Sequence, residues 1–125
     1  MTYFSLLLVL TSVLLSACAQ LALKLGVSRP HVAEAIARGE FYPSAIALLT
    51  SPEVVGGLSL YGLGAVVWLF VLAKLDLSVA YPFVGLGFLV TMFFGVYFIG
   101  EAVSLTRLLG TLLIVAGCAL VARSA

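Results

Sequence analysis

The run VVGGLSLYGLGAVVWLFVLA, residues 54–73, is twenty residues long and carries no charged side chain. At 1.5 Å per residue, a helix of that length just crosses a hydrocarbon core of roughly 30 Å. After a link of only Lys74 to Ser78, a second apolar run, VAYPFVGLGFLVTMFFGVYFI, occupies residues 79–99. Apolar stretches of similar length extend from Tyr3 to Leu23 and from Val103 to Ala122. Backbone polar groups cannot stay unpaired in lipid, and none of the four runs alternates with the period of two that a barrel strand needs. The expected fold is therefore all-α: one bundle of four transmembrane helices over residues 1–125, with helices at 3–23, 54–73, 79–99 and 103–122.

Composition agrees. Of 125 residues, 64% are hydrophobic and 9% charged, and the mean hydropathy is +1.31. A water-soluble core would leave that excess exposed as large patches, whereas a bilayer accepts apolar side chains on every helix face. The net charge of +1 supplies no basic stripe to neutralise a row of phosphates, which argues against nucleic acid as a partner. Cys18 and Cys118 both lie inside apolar runs. In antiparallel helices they fall past mid-depth toward opposite surfaces, an offset of roughly 16 Å that exceeds the ~7 Å limit for a disulfide. Leu15-Ser16-Ala17-Cys18 resembles a lipoprotein cleavage box, but Met1 to Ser5 carries no Lys or Arg and the run stays apolar through Leu23. It is expected as a retained membrane helix.

The three-residue link Gly100-Glu101-Ala102 and the link Lys74 to Ser78 make the last three helices tight antiparallel neighbours. The first link, Lys24 to Glu53, is long. Pro30 is placed to open a helix that runs through His31 to Arg38 and stops at Gly39, with Val32, Ala33, Ile36 and Ala37 on one face and a Glu34/Arg38 pair on the other. After Pro43, Ser44 to Thr50 forms a second short apolar helix. This amphipathic loop, 24–53, is expected to lie flat on the membrane surface. Gly57 and Gly64, and likewise Gly110 and Gly117, are seven residues apart and suit close helix contacts, which points to a homodimer or to pairing with a paralogous subunit.

Polar groups at membrane depth are costly, so their placement carries the functional signal. Ser12, Ser16, Gln20 and Lys24 recur at four-residue spacing and form one stripe from mid-membrane to the surface. Two readings stand side by side. Ser and Gln bond a neighbouring helix while Lys24 snorkels to the interface, or the stripe lines a path with Lys24 attracting an anion such as phosphate at its mouth. No Asp, Glu, His, Lys or Arg lies in the central turns of any span, which speaks against proton-coupled export and for a downhill carrier or flippase. Ala80-Tyr81-Pro82 opens the third span, and Gly85 and Gly87 follow, permitting bending or close approach. Trp68 reads as a core or lipid-facing residue. Glu101 and Arg107 share a surface with Lys24, Arg29 and Arg38. They form either a solvated cap and an anchor or a cluster that contacts a headgroup. His31 reads as solvated. No metal-ligand pattern, no cofactor motif and no nucleophile with a partnered base is present, so the chain does not read as an enzyme.

Four spans, Ser16-x-x-x-Gln20-x-x-x-Lys24, Ala80-Tyr81-Pro82, and Gly100-Glu101-x-x-Ser104 followed by Gly110 and Gly117, together resemble the EamA-like drug/metabolite transporter superfamily over nearly the whole chain. Within it, the spacing from the Ala-Tyr-Pro element to the Gly-Glu turn is most similar to the small subunits proposed to flip aminoarabinose linked to undecaprenyl phosphate. Likeness to the small multidrug resistance exporters is weaker. Their proton-binding glutamate falls at Ser16, and Phe83-Val84 occupies the stretch of their helix-three tryptophan. The resemblance implies a multi-pass subunit of a bacterial inner membrane that serves lipopolysaccharide biosynthesis. Its substrate would be a polyprenyl-phosphate sugar whose headgroup crosses between helices while the tail stays in lipid. Ser16, Gln20, Lys24, Tyr81 and Glu101 are then the candidate substrate residues, and Lys24, Arg29, Arg38 and Arg107 the candidate phosphate or headgroup contacts. The long first link departs from the family's shorter version. Two rival functions are a small multidrug or cationic-metabolite exporter and a noncatalytic scaffold subunit of a glycosyltransferase complex.

Overall fold

A computed structural model describes residues 2–124; Met1 and Ala125 lie outside the described residues. The described residues form seven α-helices: α1 (Tyr3–Val27), α2 (Pro30–Ala37), α3 (Phe41–Thr50), α4 (Pro52–Lys74), α5 (Leu77–Ala80), α6 (Val84–Phe94) and α7 (Leu105–Arg123). A 3₁₀ turn, Tyr81–Phe83, joins α5 to α6, and a π turn, Gly95–Ile99, extends α6. Together these pieces make one 23-residue span, Leu77–Ile99. With α1, α4 and α7 it gives four helices long and apolar enough to cross a membrane. The chain is a multi-pass membrane protein built as an all-α bundle.

Boundaries move for local reasons. α1 is capped by Thr2, whose hydroxyl accepts from the Ser5 N–H at 3.1 Å, and it continues past the expected end at Leu23 to Val27. Lys24 therefore sits in a helical turn rather than in the loop. α3 starts at Phe41 instead of after Pro43, because a proline in the first turn withholds an N–H that has no helical partner there anyway. The last helix begins at Leu105, two residues later than expected, where the Ser104 hydroxyl accepts from the Arg107 N–H at 3.1 Å. Only Leu75 and Asp76 separate α4 from α5.

The surface hairpin α2–α3 differs in its inner face. Val32 and Ala35 are buried, while Ala33, Ile36 and Ala37 face outward, and Ser44 ties the hairpin by donating to the Ala35 carbonyl at 3.0 Å. The expected Glu34/Arg38 pair does not form. Among the described residues the ion pair is Arg29 with Glu53, which fastens the start of the hairpin to the start of α4.

Inside lipid no hydrophobic force draws helices together, so close backbone approach and hydrogen bonds must do it. α1 and α4 show both. A methyl group on Gly57 would stand 2.9 Å from Leu23 Cγ, and one on Gly64 would stand 3.3 Å from Leu15 Cβ. Ser12 donates to the Gly64 carbonyl at 3.0 Å. These two glycines thus serve the contact within the chain rather than one between subunits, whereas Gly110 and Gly117 meet nothing within 4 Å. On the third span the glycines are used for approach: Gly85 faces Ile114 of α7, and Gly87 faces Val13 of α1. Val9, Val13, Val71, Ala80, Phe83 and Cys118 form the buried core. Outward-facing Leu7, Leu63, Leu69, Phe70, Leu113 and Leu120 are each more than half exposed, as lipid-facing side chains should be. Cys18 is exposed, Cys118 buried, and both are free thiols.

Candidate functional site

The core cluster gathers the start of α1, the end of α4, the start of the third span and the end of α7. It closes the bundle at that end. Beside this core and toward the opposite surface lie two adjoining chambers. The inner one, about 500 Å³, is lined by Ser12, Ser16 and Gln20 of α1, Tyr61 and Trp68 of α4, and Tyr81, Phe88 and Thr91 of the third span, with small residues between them. The outer one, about 550 Å³, is lined by Gln20, Lys24, Phe88, Thr91, Gly95, Glu101, Arg107 and Thr111 among others. Gln20, Ala17, Phe88 and Thr91 border both. The two chambers are therefore halves of one cleft.

The four-residue stripe on α1 organises this cleft. Ser12, deepest, spends its hydroxyl hydrogen on α4; Ser16 and Gln20 line the inner chamber, and Lys24 lines the outer one. The stripe divides between a helix contact and the cleft. Ser12 bonds a neighbouring helix, and the other three face the cleft. Tyr81 lines the inner chamber, and Glu101 and Arg107 join Lys24 in the outer one. All five candidate substrate residues are thus brought to one cleft.

The candidate headgroup residues divide. Arg29 is held by Glu53, its Nε donating to Oε1 at 2.8 Å, and Arg38 caps the end of α2. Neither lines a chamber. Arg107 faces the outer chamber while its Nη1 donates to the Ala102 carbonyl at 3.0 Å. Among the described residues Glu101 forms no salt bridge with Lys24 or Arg107. Its backbone is set by Gly100, whose φ of 79° requires a residue without a Cβ penalty, and by its N–H, which donates to the Gly95 carbonyl at 2.9 Å.

Trp68 takes the core place that the sequence reading gives it, and one thing more. It packs against the core, but it also borders the inner chamber, with its ring edge-on to Tyr81 at 6.5 Å and 73°. Tyr61 and Thr91 were not singled out by the sequence reading. A signal for the first existed: Tyr61, Gly64, Ala65 and Trp68 follow the i, i+3, i+4, i+7 spacing of one helix face. That face turns two aromatic rings toward the stripe on α1.

The chain is similar to proteins described as the probable 4-amino-4-deoxy-L-arabinose-phosphoundecaprenol flippase subunit ArnE. It is 37% identical over 78 residues to that of Pseudomonas savastanoi pv. phaseolicola, covering 62% of this chain and 68% of the relative. The figures are 38% over 80 residues for Pseudomonas syringae pv. syringae, covering 64% and 71%. For Pseudomonas aeruginosa they are 39% over 79 residues, covering 63% and 69%. The chain belongs to this family. ArnE-type subunits are named as flippase components rather than as enzymes. No family model matches the chain, and no solved structure does. For this ArnE-type chain, the role of each lining residue must therefore come from its own cleft.

Proposed function

We propose that the chain is a subunit of a bacterial inner-membrane flippase for a polyprenyl-phosphate-linked sugar. The observation that supports this most directly is the shared lining of the two chambers. Gln20 and Thr91 border both, so a polar headgroup can pass from the charged mouth to mid-depth without crossing bare hydrocarbon, which would cost several kcal/mol per unpaired polar group (~2–7 kcal/mol). Lys24 and Arg107 hold the phosphate. Ser16, Gln20, Tyr81 and Thr91 offer hydrogen bonds to sugar hydroxyls, and the rings of Tyr61 and Trp68 supply apolar faces for the C–H side of the sugar. The polyprenyl tail stays in the surrounding lipid. The residues lining the inner chamber include no carboxylate, which supports downhill movement rather than exchange against protons.

A single copy leaves most of α7 uncovered, with Gly110 and Gly117 open. A second copy or a paralogous subunit seated there would complete the wall of the path.

The test is flipping in vesicles reconstituted with the purified assembly and a fluorescent polyprenyl-phosphate sugar. Lys24→Ala removes one charge-assisted contact, worth roughly 1.5 kcal/mol or more, and should slow flipping about tenfold. An unchanged rate removes Lys24 from the path. Failure of the wild-type assembly to move any such lipid refutes the function itself.

A further inference from the structure

Three charged side chains line the outer chamber: Lys24, Arg107 and Glu101. The two cations suit a phosphate, whereas a carboxylate sharing so small a space repels it. Glu101 is not engaged by either cation. Among the described residues the ion pair is Arg29 with Glu53, and Arg107 turns its Nη1 to the Ala102 carbonyl at 3.0 Å.

The backbone gives the acid a seat of its own. Gly100, in the left-handed region, reverses the chain, and the Glu101 N–H donates to the Gly95 carbonyl at 2.9 Å. The side chain then lies against the bare Cα of Gly95, where an added Cβ would stand 2.6 Å from Oε2 and 3.2 Å from Cδ. The negative charge is thus kept in the chamber of the two cations without being locked onto them.

A phosphodiester carries one negative charge. Lodged between Lys24 and Arg107 it brings a lining of two positive charges and one negative to neutrality. To advance it must leave both cations, because none of the residues lining the inner chamber is charged. Glu101 lowers the cost of that departure in two ways. It weakens the hold on the phosphate while the phosphate is present, and it remains as counter-ion to the cations once the phosphate has moved on. A site on a transport path must bind well enough to admit its ligand and weakly enough to pass it on. We propose that Glu101 is the release residue of the phosphate site, a fixed negative charge that keeps Lys24 and Arg107 from trapping the headgroup at the mouth. This role rests on the flippase reading and is independent of which sugar the phosphate carries.

Glu101→Gln keeps the shape of the side chain and removes its charge. The full chain, purified in detergent, is titrated by calorimetry with a short-chain prenyl methyl phosphate, a phosphodiester without a sugar. The variant should bind it about fivefold more tightly than the wild type, as expected when a like charge leaves the chamber. A structural defect would weaken binding instead. Glu101→Asp, which retains the charge, should stay within about twofold of the wild type. In vesicles with a fluorescent polyprenyl-phosphate sugar, Glu101→Gln should lower KM and, at saturating substrate, turn over about fivefold more slowly. Equal or weaker binding by Glu101→Gln, or no binding by either chain, overturns the proposal. So does tighter binding without slower turnover, or an affinity of Glu101→Asp as high as that of Glu101→Gln. In each of these cases flipping by the wild type leaves the flippase reading standing. If the wild type moves no such lipid, the flippase reading falls and the release role falls with it.

Discussion

Replacing Gly57 with alanine should pry α1 from α4. The new Cβ would lie 2.9 Å from both Cγ and Cδ2 of Leu23 and 3.1 Å from the Ala19 carbonyl oxygen. Leu23 can swing aside, but the Ala19 oxygen belongs to helical backbone and can yield only if the helices separate by a few tenths of an ångström. Gly56 is the internal control, because a Cβ there meets nothing within 4 Å. Both substitutions gain the same helix propensity, about 1 kcal/mol, so the difference between them isolates the overpacking, about 1–3 kcal/mol. At roughly 4 °C per kcal/mol, Gly57→Ala should melt about 4–12 °C below Gly56→Ala in the same detergent. The site should register the change too. Ser12 bonds the Gly64 carbonyl two turns along the same seam, and both residues line the inner chamber, so the emission of Trp68 should shift in Gly57→Ala and not in Gly56→Ala. Coincident melting of the two variants, within about 1 °C, would refute the close approach of α1 and α4.

Arg29→Ala breaks an exposed ion pair with Glu53 and should cost less than about 1 kcal/mol of stability. Because Arg29 lines neither chamber, flipping should continue at the wild-type rate; a loss as large as that of Lys24→Ala would put Arg29 in the path. Gly100→Ala forces a Cβ into a left-handed conformation at φ 79°, costing roughly 1–2 kcal/mol, and, because this turn directs Glu101 to the outer chamber, should slow flipping in the vesicle assay. Gly39→Ala, with φ 71° in the surface loop, should lose similar stability while leaving the flipping rate intact. Equal effects of the two glycine variants on flipping would detach the Gly100 turn from the site.

The spans were legible because lipid imposes one rule on twenty consecutive residues, and the run 54–73 satisfies it without help from the rest of the chain. The polar stripe on α1 was legible for a related reason: Ser12, Ser16, Gln20 and Lys24 stand out wherever every neighbour is apolar. The helix ends were less legible. α1 runs on to Val27 because the sequence beyond Leu23 contains no residue that must stop a helix until the turn before Pro30, and a hydrophobicity window ends where charge begins rather than where hydrogen bonding ends. Gly57 and Gly64 could be seen as contact glycines, but periodicity alone does not say whether the partner helix is in the same chain. That depended on Leu15, Ala19 and Leu23 of α1 facing them.

Trp68 shows why the inner chamber could not be read off one helix at a time. On α4 alone it is an aromatic residue in an apolar run, and nothing distinguishes a core position from a cavity wall. What makes it a wall is the narrow approach of α1 to α4 at Gly64 and of α6 to α1 at Gly87, which leaves the larger rings of Tyr61, Trp68 and Tyr81 bordering a space that the small residues around them do not fill. The outer chamber depends on still more distant coincidences. Lys24 reaches it from the last turns of α1, Arg107 from the first turn of α7, and Glu101 from a link whose direction is set by Gly100 and Gly95. Sequence order separates Lys24 from Glu101 by most of the chain, and only antiparallel packing returns both to one surface. The mixed charge of the outer chamber is therefore a property of the assembled bundle, and no single span carries it.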